Sequence, residues 1–315
     1  MLPRNLVPVT EFLVSVAGSQ DMDVNRYLSE AKVAVDQCLD RLLPAESEEP
    51  PTIHRAMRYS VFAGGKRLRP VLVLASGESA GGNRETLLHL GSAIEMMHTY
   101  SLIHDDLPAL DNDDLRRGQP TCHRVFGEAI AILAGDSLMT RSYQVLSELP
   151  GISDSARLAI VREMAYATGT VNGMIGGQVA DLEAEGKKVS AAMLEYIHRS
   201  KTGALLAVCP RSAALASGAS PEKLESLTEF GRKIGLAFQI VDDILDLTAS
   251  STDLGKTAGK DERVKKATYP ALYGVMASRV KARELIDAGI EDLGDFGAAA
   301  DPLRGLARFI LNRTA

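Results

Sequence analysis

The chain has 315 residues, 45% hydrophobic and 24% charged, with a formal net charge of -6. This is a globular composition with ample apolar material for a core, and its negative balance excludes nucleic acid as a general partner, because phosphate backbones need a basic field. Cys38, Cys122 and Cys209 are widely spaced, with no Cys-x-x-Cys; this excludes a disulfide framework or zinc architecture and fits free thiols in a reducing cytoplasm.

Residues 6–18 are partly apolar but carry Pro8 and Glu11, with only Arg4 ahead of them, which is a poor signal peptide. No run of about eighteen apolar residues occurs, so no membrane span is expected. Length alone would allow two domains, yet no linker interrupts the middle. The expected organisation is one all-α domain over 1–315, with 1–20 as a loosely structured lead.

Val24, Tyr27, Leu28, Ala31, Val35, Cys38, Leu39 and Leu42 recur at helical spacing and predict an amphipathic helix. It stops at Pro44. A second helix runs through Met57 and Val61 to Gly64-Gly65, and Lys66-Arg67-Leu68-Arg69-Pro70 opens the next apolar run. Bare backbone followed by cations is an anion-binding arrangement, although such a turn also serves as a plain helix connector.

The pattern predicts a long apolar helix over Leu87–His104, ending in Asp105, Asp106, Asp111, Asp113 and Asp114. Pro108 disturbs that helix, because it has no N–H and clashes with the preceding turn. Asp105 and Asp111 are six residues apart, about 120° out of register on an ideal helix, so the backbone must bend for both to face one ion. Further helices are expected over Val125–Leu149, Ala156–Thr168 and Val171–Leu182, without a convincing strand. Gln178 and Asp181 share one face. Lys201-Thr202-Gly203 begins or interrupts another apolar helix.

A second acidic motif follows in Phe238-Gln239-Ile240-Val241-Asp242-Asp243-Ile244-Leu245-Asp246. Asp242 and Asp246 lie on one helical face, where like charges repel unless a cation sits between them. Lysine-rich segments come next, with Lys256, Lys260, Lys265 and Lys266, and residues 302–315 predict a short amphipathic helix with Leu303, Leu306, Phe309 and Ile310 inward.

Two aspartate clusters facing each other across a helix bundle could hold magnesium. That ion takes one or two carboxylates and fills its shell with water and phosphate oxygens, so clusters this acidic imply a phosphorylated ligand bridging several ions. Basic residues at 66–69, 116–117, 201, 256 and 266 would complete the neutralisation. An apolar interior behind such a rim suits a lipid diphosphate, and no Walker-type or Gly-x-Gly-x-x-Gly sequence for a nucleotide is present.

Asp105-Asp106-x-x-x-x-Asp111 with Arg116-Arg117-Gly118, Gly64 through Pro70, and Asp242-Asp243-x-x-Asp246 together resemble the motifs of short-chain trans-prenyl diphosphate synthases. The resemblance runs from about residue 25 to the C-terminus in the same order. It implies an all-α isoprenoid synthase bundle around a deep central cavity, a cytoplasmic homodimer, and three magnesium ions per active site. It further implies that Asp105, Asp111 and Asp242 hold the metals that grip an allylic diphosphate, supported by Asp106, Asp243 and Asp246. Arg116, Lys201, Lys256 and Lys266 would contact the same diphosphate. Gly65, Lys66, Arg69, His98 and Arg117 would bind isopentenyl diphosphate, and Thr202 and Gln239 would line the carbocation.

Tyr100 and Ser101 lie one turn before Asp105. The resemblance associates an aromatic there with fifteen-carbon farnesyl diphosphate and a smaller residue with twenty-carbon geranylgeranyl diphosphate; the local Glu95-Met96-Met97-His98-Thr99 resembles twenty-carbon enzymes. Two rivals share features of the pattern. A terpene cyclase of the same fold would not need the second diphosphate pocket, and a non-catalytic regulatory subunit would be expected to have lost aspartates.

Overall fold

The computed structural model describes residues 23–248 and 268–313. Helix α1 (Val24–Leu42) starts where the Asp23 carboxylate accepts from the backbone N–H groups of Asn25 (3.1 Å) and Arg26 (3.2 Å), meeting donors that a first helical turn leaves open. After α2 (Pro51–Val61), α3 (Leu68–Ser79) and α4 (Arg84–Asp105) form the centre of the bundle. Both are buried on nearly every side, from Val71 to Ala75 in α3 and from Leu90 to Met97 in α4, as expected of helices that are apolar all round. Helix α4 packs against α1, α2 and α3.

A short antiparallel ribbon follows, β1 (Leu115–Arg116) pairing with β2 (Gln119–Pro120), where periodicity predicts no strand. Its two-residue loop is Arg117-Gly118, with φ of 54° and 76°, the doubly left-handed pattern that matches the twist of a tight hairpin. The helix expected from Val125 to Leu149 is divided at Gly127 into α5 (Cys122–Phe126) and α6 (Glu128–Ser147), and α6 lies along α4. Next come α7 (Asp154–Thr168), α8 (Met174–Ala184) and α9 (Ala191–Ile197).

Residues His198–Gly203 form a π-helical turn between α9 and α10 (Ala204–Ala216). Lys201 and Thr202 therefore interrupt a helix rather than begin one. Helix α11 (Pro221–Thr248) packs on α10, on the π turn and on α13 (Val275–Asp292), with the short α12 (Tyr269–Tyr273) before it. A 3₁₀ segment, Gly294–Ala300, leads into α14 (Asp301–Asn312).

The main apolar cluster joins residues from Ala31 in α1 to Ile310 in α14. A second, smaller cluster of Leu236, Ile240, Val241, Ile244 and Ala282 fastens the motif-bearing half of α11 to α13. Among the described residues no helix is long and apolar enough to cross a membrane.

Candidate active site

The first acidic motif begins where α4 stops. Asp105 is its last residue, three positions ahead of Pro108, and the chain then folds back on itself. The Asp111 N–H donates to the Asp105 carbonyl (2.8 Å) and the Asp113 N–H to the Asp106 carbonyl (3.2 Å), with Asn112 left-handed at φ 51°. This is the bend that the 120° mismatch requires. Burial pushes the Asp105 carboxyl above the usual carboxylate range; Asp111 and Asp106 push the same way, while Lys201 and Arg116 oppose them.

Asp106 faces inward and is 3% exposed. Arg116, carried by β1, grips it with Nη2 to Oδ1 at 2.6 Å and Nε to Oδ2 at 2.8 Å, a two-point pairing suited to the planar guanidinium. Burial lowers the affinity of Arg116 for its proton, but the Asp106 hydrogen bond and charge outweigh it, and the guanidinium stays charged. The resemblance places both residues at the metal-bound diphosphate; in the structure each already has a partner within the protein.

The hairpin loop turns the neighbouring Arg117 the other way, where its guanidinium donates to the Gly64 carbonyl. A Cβ at Gly65 would come within 2.6 Å of Arg117 Nη1, and the Gly65 φ of 125° also disfavours any side chain. Glycine there is set by the arginine lying across it.

Around that contact stands a basic cluster. Arg69 loses basicity chiefly through burial, and its Nε is a buried donor with no partner among the described residues. Arg117 is lowered by burial and further by Arg67, Arg116 and Arg69. His98 is driven well below its ordinary value, first by burial and then by Arg69, Arg117, Arg116 and Arg67, so its imidazole is neutral at pH 7. Lys66 is lowered by burial and by Arg313. Cations that depress one another beside an unmet buried donor are poised for an anion.

Arg67 is the exception within the basic run. It is left-handed at φ 51°, 3% exposed, and bonded to Asp36 (2.8 Å), Glu95 (3.0 Å) and the Val61 carbonyl (2.7 Å). It staples the loop to α1, α2 and α4, unlike Lys66 and Arg69. The spacing of the basic run does not separate it from its neighbours.

The π turn presents Lys201, whose Nζ donates to Asp181 of α8 at 2.7 Å. Of the pair Gln178 and Asp181, the second is thereby drawn to the site. Extra residues in a helix of this kind re-aim side chains and are common at functional sites.

In the second motif Asp243 is 6% exposed and fully engaged. His198 Nε2 lies 3.2 Å from Oδ2, the Tyr269 N–H donates to Oδ2 at 2.8 Å, and Gln239 Nε2 donates to Oδ1 at 3.0 Å. Gln239 is thus oriented by Asp243. Asp242 is half-buried and accepts from Arg313 Nη2 at 3.0 Å; the same guanidinium donates to the Phe238 carbonyl and lies 4.0 Å over the Phe238 ring. Arg313 carries no motif signal in the sequence. It simply follows the amphipathic terminal helix, which already carries Arg304 and Arg308. Asp246 is exposed, one turn beyond Asp242. Lys256 and Lys266 lie outside the described residues.

The donor set suits magnesium. The candidate ligands are carboxylates, hard oxygen donors, and the burial and acid crowding that raise Asp105 are both offset by a nearby cation. Among the described residues no three carboxylate, imidazole or thiolate groups converge tightly enough to cage a metal unaided. One turn below Asp105, Tyr100 is 7% exposed, and Ser101 donates to the His98 carbonyl at 2.8 Å.

Comparison with known proteins bears on this geometry. A family model described as polyprenyl synthetase matches residues 50–298. The chain is 45% identical over 299 residues to a farnesyl diphosphate synthase of Escherichia coli, covering 93% of this chain and 99% of that protein. It is 46% identical over 290 residues to a chloroplastic geranylgeranyl pyrophosphate synthase of Capsicum annuum, covering 91% and 78% respectively. The crystal structure of a Zymomonas mobilis FPP/GFPP synthase superposes with a TM-score of 0.82 at 37% identity, covering 91% of this chain and 98% of that one.

Proposed function

From the premise that the chain belongs to the polyprenyl synthetase family and is a trans-prenyltransferase of the isoprenoid synthase fold, we propose that it makes farnesyl diphosphate. The substrates in this reading are isopentenyl diphosphate and the allylic dimethylallyl and geranyl diphosphates. The relatives include makers of both fifteen- and twenty-carbon products, so their names do not choose between them. The observation that carries the choice is Tyr100, a buried aromatic ring one turn below Asp105.

In this reading Asp105, Asp111 and Asp242 hold magnesium, three ions per site, with Asp246 contributing at the rim. Bound magnesium would neutralise the allylic diphosphate and turn it into a leaving group. Lys201, oriented by Asp181, and Arg116, oriented by Asp106, supply positive charge to the same diphosphate, with Lys256 and Lys266 completing the set. Lys66, Arg69 and Arg117 receive isopentenyl diphosphate over the bare backbone of Gly65. Neutral His98 donates a hydrogen bond there without adding to the mutual repulsion of the cations.

Thr202 and the Asp243-held amide of Gln239 turn oxygen dipoles toward the allylic cation, stabilising charge without capturing it. Departed diphosphate takes the proton that restores the double bond, so no protein base is required. Exclusion of water protects the cation from hydrolysis. Asp106 and Asp243 act by holding Arg116 and Gln239 in position. The protein works as a single-domain homodimer in the cytoplasm.

The test is product sizing. Purified protein with magnesium, isopentenyl diphosphate and geranyl diphosphate should release a fifteen-carbon diphosphate as its main product. A twenty-carbon main product would overturn the length assignment, and product without incorporated isopentenyl diphosphate would favour a cyclase.

A further inference from the structure

We propose that His104 is a positioning residue for product length, bracing the Tyr100 ring against α6 so that it stays in place as the floor of the chain pocket. The inference rests on Tyr100 being that floor.

Tyr100 and His104 are four residues apart on α4 and therefore share a face. Their rings meet edge to face, with centroids 5.2 Å apart at 83°, the arrangement that aligns a positive ring edge with a negative face. The far side of His104 is anchored: Nε2 donates to the Ile132 carbonyl of α6 at 3.0 Å, and Asp136 Oδ1 stands 3.9 Å away. Gly135 makes room for this, since a Cβ there would run into His104 Nε2. The imidazole is thus fixed by α6 on one side and presses on Tyr100 with the other. Tyr100 itself lies near Tyr143 and Asp136 of α6, and burial, followed by Asp105 and those two, raises its phenol above the usual range.

A ring limits a growing chain only while it keeps one rotamer. A helical tyrosine has two favoured χ1 wells, and swinging to the second would clear depth for a further five-carbon unit. The edge contact with the anchored His104 ring holds Tyr100 against that swing.

The experiment is a product profile by mass spectrometry on the full-length enzyme, with geranyl and isopentenyl diphosphates, for His104→Ala, Tyr100→Ala and the double variant. His104→Ala should raise the ratio of twenty- to fifteen-carbon product about five-fold, the scale of one aromatic edge contact. It should add nothing in the Tyr100→Ala background, because it acts through that ring. His104→Gln keeps a donor for the Ile132 carbonyl but lacks the ring edge; it should fall between the two, and it serves if the alanine variant does not fold. An unchanged ratio in both His104 variants while Tyr100→Ala lengthens the product would overturn the role of His104. So would a further rise in the double variant. No lengthening by Tyr100→Ala would instead overturn the floor itself.

Discussion

In the first aspartate motif the carboxylates run from the last residue of α4 into the loop beyond it, drawn together by backbone hydrogen bonds from Asp111 and Asp113. In the second they ride on an unbroken stretch of α11 and need no such bend. Yet the two share a division of labour. The second residue of each Asp-Asp pair is buried and committed to protein partners, Asp106 to Arg116 and Asp243 to His198, Gln239 and Tyr269. The leading residue, Asp105 or Asp242, is half-buried at the site. Adjacent residues on a helix point about 100° apart, so a doubled acid can turn one carboxylate toward the candidate site and one toward the scaffold.

The sharpest test of that division is loss of the leading acids. Asp105→Ala or Asp242→Ala should lower turnover by about 10²–10³-fold or more, the scale of removing one preorganised charge contact, while far-ultraviolet circular dichroism stays native. Near-normal steady-state rates at saturating magnesium would break the assignment of both as metal carboxylates.

The scaffold acids should behave differently. Asp243→Ala leaves His198, the Tyr269 N–H and the Gln239 amide without their acceptor in a buried place, so it should cost about 3 kcal/mol in denaturant unfolding. Asp242→Ala should cost much less, because Asp242 is 43% exposed and its partner Arg313 keeps the Phe238 carbonyl and ring. Equal losses would erase the distinction drawn between the two residues.

The smallest expected effect has the opposite sign. Burial and neighbouring acids raise the Asp105 carboxyl, so ionising it costs stability in the metal-free protein at neutral pH. Asp105→Asn should therefore melt about 1–3 °C higher in chelator at pH 7. The folded pKa lies above the unfolded one, so the penalty is complete above the folded value and disappears as pH falls through it. The advantage of the asparagine variant should shrink on acidification in the same way, and an advantage that grew on acidification would show the sign to be wrong.

Much of this architecture is legible in the chain itself. Apolar residues at helical spacing locate the helices, since a helix must bury one face. Acids crowded among apolar residues single out the candidate site, because self-repulsion beside low-dielectric surroundings has few remedies. Proline and glycine mark where helices stop, although apolar periodicity does not show the breaks at Gly127 and at the π turn. Tertiary structure alone decided which charges answer each other. Arg67, indistinguishable in sequence from Lys66 and Arg69, is consumed by Asp36 and Glu95; Arg313 reaches Asp242 from the far end of the chain; His104 finds Tyr100 along its own helix but is fixed there only by α6. Helical periodicity is a local property that a sequence displays directly. The partner of a charge is a matter of distance through space, which only the folded chain defines.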